Sequence, residues 1–203
     1  MTIELILQAA PVIPVLVLDG SIDPAALAEA LVGAGLPVLE VTLRTPHALD
    51  AIRAMAAVPG AIVGAGTVLN PNMLDDAIEA GSRFIVSPGL TEPLGRAAIA
   101  SGIPFLPGVA NAGDIMRGLD MELDRFKFFP AEAAGGLKAL ASLAGPFGDV
   151  LFCPTGGITL DSAPIWLAHP SVPCVGGSWI VKAGETDIAA IAKRARSAAK
   201  LKK

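Results

Sequence analysis

The sequence predicts an α/β fold: a closed (β/α)8 TIM barrel with a short N-terminal helix, occupying residues 1–203 as one domain. Three observations lead there. Short β-rich runs alternate with helical patterns about every 20 to 25 residues, as repeated βα units do. The helical stretches carry start and stop signals, with a capping Asp, Asn or Thr, an early proline and a closing glycine. The chain has 203 residues, 53% hydrophobic and 17% charged, which suffices for one well-buried domain and sits near the lower limit for a full barrel. Hydrophobic pattern alone does not separate closure from an open doubly wound sheet. Eight units of this length favour the barrel, and the open sheet stays as the alternative.

The elements follow in order. Glu4–Ala10 reads as a short extra helix able to plug the open bottom of a barrel. Val12–Leu18 is the first strand, and Asp23-Pro24 then opens a helix that ends at Gly33 or Gly35. Val38–Leu43 and Ala61–Val68 are the second and third strands, rich in β-branched residues. Asn70-Pro71 opens a helix ending at Gly81. Phe84–Ser87 is the fourth strand, and Thr91-Glu92-Pro93 opens a helix ending at Gly102. Phe105–Val109, Arg125–Phe129, Val150–Pro154 and Pro173–Gly176 complete the eight.

Composition excludes several function classes. A net charge of −4, fifteen basic residues with no basic stripe and 4% aromatic residues argue against a nucleic-acid binder. Only Lys193 to Lys203 form a basic cluster, which reads as a solvated helix end favoured by the macrodipole. No apolar run reaches the roughly 18 residues of a membrane span. Met1 to Ala10 lacks a basic n-region and a cleavable h-region, and Cys153 and Cys174 lack CxxC spacing and fall in interior strands, as buried thiols do. A cytoplasmic location is the expectation.

Lys127 is the residue that points to chemistry. It lies in the apolar run Arg125-Phe126-Lys127-Phe128-Phe129-Pro130, whereas the other lysines (138, 182, 193, 200, 202, 203) fall in helical, loop or tail segments. A lysine desolvated among apolar groups is a usable amine nucleophile; the bland alternative is a strand-edge lysine snorkelling to water. Strand alternation turns Val38, Glu40 and Thr42 to one side and Leu39, Val41 and Leu43 to the other. With the apolar set against the helices, Glu40 faces the barrel interior, as Lys127 and Phe129 do on the sixth strand. An inward lysine and an inward carboxylate suggest imine catalysis with a general acid/base beside it. Glu40 bound to Arg44 or to backbone amides is the structural alternative.

Arg44 follows Glu40 by roughly 13 Å if the strand stays straight, so joint action requires the chain to curl inward after Thr42. An arginine at the rim suits bidentate grip on a carboxylate, or else a surface ion pair. Five clusters of Gly, Thr, Ser and Pro are placed at strand ends: Gly64-Ala65-Gly66-Thr67, Ser87-Pro88-Gly89, Pro107-Gly108, Thr155-Gly156-Gly157 and Gly176-Gly177-Ser178. The last two follow the seventh and eighth strands, where barrels bind phosphate on bare backbone N–H groups. No nucleotide-binding glycine motif occurs. His47 and His169 have no second ligand at metal spacing and read as structural, which disfavours a metal-dependent aldolase and a Ser-His-Asp hydrolase. Trp179 is read as packing and left out of the site.

The strings Leu39-Glu40-Val41-Thr42-Leu43-Arg44-Thr45, Gly64-Ala65-Gly66-Thr67-Val68, Ser87-Pro88-Gly89, Phe126-Lys127-Phe128-Phe129-Pro130-Ala131-Glu132, Cys153-Pro154-Thr155-Gly156-Gly157 and Gly176-Gly177-Ser178-Trp179 span nearly the whole chain. In order and spacing they resemble the class I 2-keto-3-deoxy-6-phosphogluconate (KDPG) aldolases of the Entner–Doudoroff pathway. The resemblance implies a homotrimeric barrel that needs no metal and no cofactor. It implies that Lys127 forms a Schiff base with the C2 ketone and that Glu40 moves protons. Arg44 and Thr67 would hold the pyruvate-derived carboxylate, Pro88 and Phe129 would wall the imine, and Thr155 would steer the aldehyde portion. Gly156, Gly157, Gly176, Gly177 and Ser178 would take the phosphate. The products would be pyruvate and glyceraldehyde 3-phosphate.

Three rivals remain. Cleavage of 4-hydroxy-2-oxoglutarate to pyruvate and glyoxylate would use the same lysine, alone or beside the first activity, without needing the glycine pairs. A phosphosugar isomerase would keep those pairs and need no imine. A non-catalytic phosphosugar-binding protein would bind without turnover, since fold does not imply function.

Overall fold

The computed structural model describes residues 1–201; Lys202 and Lys203, the end of the expected basic cluster, lie outside them. Helix α1 (Ile3–Gln8) is capped by the Thr2 hydroxyl, which accepts from Leu5 N–H, and precedes β1 (Val12–Leu16). Helix α2 (Pro24–Gly33) starts on the Asp23 carboxylate and leads to β2 (Val38–Thr42), α3 (Ala48–Ala56) and β3 (Ile62–Gly66). Helix α4 (Pro71–Glu79) starts on Asn70 Oδ1, 2.9 Å from Met73 N, and is followed by β4 (Ile85–Val86). Helix α5 (Glu92–Ser101) stops at Gly102, where φ is +72°. Helices α2, α4 and α5 start at the expected Asp23-Pro24, Asn70-Pro71 and Thr91-Glu92-Pro93 and stop near Gly35, Gly81 and Gly102, each with positive φ; α3 has neither a side-chain cap nor an early proline.

The fifth expected strand is broken. Phe105–Leu106 (β5) and Gly108–Val109 (β6) are separate strands around Pro107, so the Pro107-Gly108 cluster interrupts a strand rather than ending one. The physical reason is that Pro107 has no N–H to donate to a ladder. Its carbonyl instead accepts from Lys127 N–H at 2.9 Å, and the chain changes partner from β4 to β7 (Arg125–Phe128). A side chain at Gly108 would place Cβ 2.2 Å from the Pro88 carbonyl oxygen, so the two backbones touch there. Helix α6 (Ala112–Leu119) precedes β7, and α7 (Gly136–Ala144), β8 (Leu151–Pro154), α8 (Ala163–Leu167), β9 (Val175–Gly177) and α9 (Ile188–Ala199) complete the order.

All pairings are parallel. One sheet runs β5-β4-β3-β2-β1-β9 and the other β6-β7-β8. The continuity of β5 with β6 joins them on one side, and a bridge between Thr155 and Gly176 joins β8 to β9 on the other, which closes the ring. This is the barrel, not the open sheet.

Two cores result. Leu39, Val41, Phe126 and Phe128 pack outward in the layer shared with the helices. Ile13, Val38, Phe84, Val86, Leu106, Cys153 and Cys174 fill the interior together with Ile6 and Leu7 of α1, each 1% exposed. Helix α1 is therefore the plug. Glu4 lies 3.8 Å from Arg125 at that end of the barrel. Residues with large and absent side chains alternate inside: a Cβ at Gly64 would lie 2.5 Å from the Phe84 ring. The basic cluster divides, because Arg194 turns inward to donate to the Ile180 carbonyl and to Glu185 while Arg196 stays in the last turn of α9. Among the described residues no helix is long and apolar enough to cross a membrane.

Candidate active site

Lys127 and Glu40 come from opposite parts of the ring, β7 and β2, and meet inside it. Lys127 Nζ donates to Glu40 Oε1 at 2.9 Å, with the residues 4% and 3% exposed. The snorkelling and Arg44-bound alternatives are both set aside by this contact. Lys127 is flanked in register by Gly108 and Cys153, and its ammonium lies 5.4 Å from the centroid of the Phe129 ring. Glu40 lies across Gly66, where a Cβ would fall 2.2 Å from Oε1. Gly66 is thus glycine to admit the carboxylate, a packing role that the strand-end reading of its cluster missed.

The chain does curl after Thr42. Arg44 N–H donates to the Thr42 carbonyl at 2.8 Å, a tight three-residue turn, and Arg44 Nε reaches Thr67 Oγ1 at 3.1 Å over the end of β3. Thr67 has φ of +60°, a costly conformation for a β-branched residue and one that concentrates at functional sites. Thr42 Oγ1 donates to the Leu16 carbonyl at 2.9 Å and Thr45 Oγ1 to that of Leu18, which pins the Arg44 segment to β1 and the loop after it. In that loop Ser21 donates to Asp19 through its hydroxyl and its N–H, and these bonds hold the Asp19 carboxyl below the usual carboxylate range.

Thr155 is buried directly after β8, and Gly156 and Gly157 follow with φ of +105° and +82°. Their N–H groups donate to no protein acceptor among the described residues. Gly176 and Gly177 differ. Both lie in β9, where a Cβ would fall 2.2 Å from Thr155 Oγ1 and 2.7 Å from Val12 Cγ1, so close packing already requires glycine there. Ser178 follows them at the surface, and Pro88 is half-buried on the same face. Trp179 packs its ring against Gly177.

Cys153 and Cys174 are buried thiols, 3.7 Å apart in the barrel interior. His169 Nδ1 accepts from Ser171 N–H at 3.2 Å, and the His47 ring lies against Gly20. No group of three metal-binding side chains gathers among the described residues. Glu132, to which the sequence assigns no role, lies beside Gly157, with its carboxylate on Trp166. Its only sequence signal was the unusual acid directly after Phe-Phe-Pro-Ala.

A model of the family described as KDPG and KHG aldolase matches residues 3–194. The chain belongs to the KDPG and KHG aldolase family. Among family members, the KHG/KDPG aldolase of Escherichia coli K12 is 53% identical over 98% of this chain and 96% of its own. The crystal structure of the 2-keto-3-deoxy-6-phosphogluconate aldolase of Zymomonas mobilis ZM4 with 3-phosphoglycerate is 60% identical and superposes with a TM-score of 0.97, covering 99% of this chain and 96% of the other. A KDPG aldolase from Legionella pneumophila, with pyruvate captured at low pH as a covalent carbinolamine, is 43% identical with a TM-score of 0.95, over 98% of this chain and 99% of the other.

Proposed function

We propose that this KDPG and KHG aldolase family member is a class I aldolase that cleaves 2-keto-3-deoxy-6-phosphogluconate to pyruvate and glyceraldehyde 3-phosphate in the Entner–Doudoroff pathway. The observation that carries the reading is the buried 2.9 Å contact between Lys127 Nζ and Glu40 Oε1. An amine attacks a ketone only with its lone pair free, and a carboxylate at hydrogen-bond distance is placed to take that proton. Lys127 adds to C2, and the carbinolamine hydroxyl then takes the proton from Glu40 and leaves as water, which gives the protonated imine and restores the Glu40 carboxylate. Glu40 then removes the C4 hydroxyl proton, the C3–C4 electron pair passes into the imine as an enamine, and the aldehyde leaves. Return of a proton to C3 and hydrolysis of the imine release pyruvate and free Lys127.

The other residues serve this sequence. Arg44 and Thr67, in contact at the end of β3, hold the carboxylate beside the imine. Pro88 and Phe129 wall it, and Thr155 steers the departing aldehyde. The phosphate sits on the free N–H groups of Gly156 and Gly157, with Gly176, Gly177 and Ser178 completing its side of the mouth. No step calls on a metal or cofactor. The same imine serves 4-hydroxy-2-oxoglutarate, an activity favoured by the double name of the Escherichia coli relative. We place the enzyme in the cytoplasm as a homotrimer of one-domain subunits. A charged sugar phosphate does not cross membranes unaided, so its enzyme belongs in the compartment where the substrate is made.

Borohydride trapping with pyruvate tests the reading. A reduced pyruvyl adduct on the Lys127 peptide, absent from Lys127→Ala, is the expected result. A folded wild-type protein that gives no adduct would exclude the imine route and favour an isomerase or a binding protein.

A further inference from the structure

We propose that Glu132 is a positioning residue that holds the Thr155-Gly156-Gly157 turn in the shape that accepts the substrate's phosphate. The inference deepens the aldolase reading and rests on it. Two consecutive carbonyls of the turn are tied to the loop after β7: Ala131 N–H donates to Thr155 O at 2.8 Å, and Glu132 N–H to Gly156 O at 3.1 Å. With those carbonyls turned back, the Gly156 and Gly157 N–H groups are left without protein partners among the described residues. The Glu132 side chain covers the second glycine, since a Cβ at Gly157 would fall 2.7 Å from Glu132 Cγ and 2.8 Å from its Cβ.

The carboxylate is itself anchored. Glu132 Oε1 accepts from Trp166 Nε1 at 3.1 Å, and the Trp166 indole is buried on α8 beside Phe128, with ring centroids 6.4 Å apart. Glu132 therefore couples three parts of the mouth: the segment after β7, which carries Phe129 and follows Lys127 in the chain, the turn after β8, and helix α8. Its charge works against an anion bound at Gly156 and Gly157, because like charges repel. The hydrogen bond to Trp166 and the cover over Gly157 are what the side chain contributes in return.

The test uses the full chain with Glu132→Ala, Glu132→Gln and Trp166→Phe, measuring KM for KDPG and half-saturation by pyruvate in borohydride trapping. Pyruvate carries no phosphate, so it reports imine formation alone. Glu132→Ala should raise KM for KDPG about tenfold, the scale of one lost hydrogen bond, and leave pyruvate saturation unchanged. Glu132→Gln keeps an acceptor oxygen for Trp166 and drops the charge, so its KM should equal or fall below that of the wild type. Trp166→Phe should match Glu132→Ala, and it provides the same reading where the alanine variant fails to fold. Unchanged KM for KDPG in the folded variants, or an equal shift in pyruvate saturation, would overturn the proposal while leaving the aldolase reading intact. Wild-type protein that cleaves no KDPG would sink the aldolase reading, and this inference with it.

Discussion

At the scale of single residues, the Lys127–Glu40 pair sets its proposed catalytic role against stability. Two charges taken almost completely out of water recover their desolvation cost only through each other, and removing one partner of such a pair typically costs about 3–5 kcal/mol. Lys127→Met should therefore lower stability by that amount, since it leaves the Glu40 carboxylate buried without a counter-charge. Adding Glu40→Gln should recover most of the loss, because the second charge is then gone as well. Urea denaturation of the wild type, the singles and the double variant measures this; a double variant whose loss equals the sum of the two singles would show that charge pairing is not what couples them. Glu40→Gln alone should reduce kcat by about 10²–10⁴-fold, the usual contribution of a positioned acid/base. Thr67 belongs at this scale too. Its +60° φ is strain held beside Arg44 at the site, and nothing in Gly-Ala-Gly-Thr as a string distinguishes it from an ordinary turn.

At the scale of elements, the broken fifth strand decides how the barrel closes. Pro107 cannot donate to a ladder, Gly108 brings the chain against the Pro88 backbone, and the register that follows sets Gly108 beside Lys127. Gly108→Ala should cost about 1–3 kcal/mol or more, because the obstructing atom is a backbone oxygen that cannot rotate away. Gly33→Ala is the contrasting case: nothing lies within 4 Å of its Cβ position at the end of α2, and helical propensity favours alanine. It should be neutral or stabilising. Thermal denaturation of the two variants checks both, and equal midpoints would show that close backbone approach is not what demands glycine at position 108. The same distinction runs through the glycine clusters, where Gly66 and Gly176 admit neighbouring side chains while Gly156 and Gly157 present free N–H groups.

At the scale of the whole molecule, the barrel covers its own interior but not all of its outer surface. Helix α1 closes the bottom with Ile6 and Leu7 and leaves the mouth at the strand C-termini free for substrate. On the adjoining helices α5 and α6, Ile99, Met116 and Leu119 remain 47%, 57% and 40% exposed. Covering such side chains in further copies of the chain removes apolar surface from water, which fits the proposed homotrimer. Sedimentation equilibrium should return three times the mass of the chain at micromolar concentration. The mass of a monomer there would overturn the assembly without touching the chemistry.

The sequence by itself determined the βα order, the helix starts and stops at Asp23, Asn70 and Gly102, and the inward faces of β2 and β7. These depend on local propensity and on a side-chain period of two, both of which are read along the chain. It also singled out Lys127 and Glu40, because a charge in an apolar strand is rare enough to stand out. Only the tertiary structure decided that these two residues, 87 positions apart, share a hydrogen bond, that Arg44 turns onto Thr67, and that Glu132 covers Gly157. Closure of the ring, the split at Pro107 and the close packing that requires glycine at positions 66, 108 and 176 came from the structure as well. The reason is physical: each depends on which backbones and side chains meet across the barrel, and those distances between remote segments are set by the packing of the whole rather than by any local pattern.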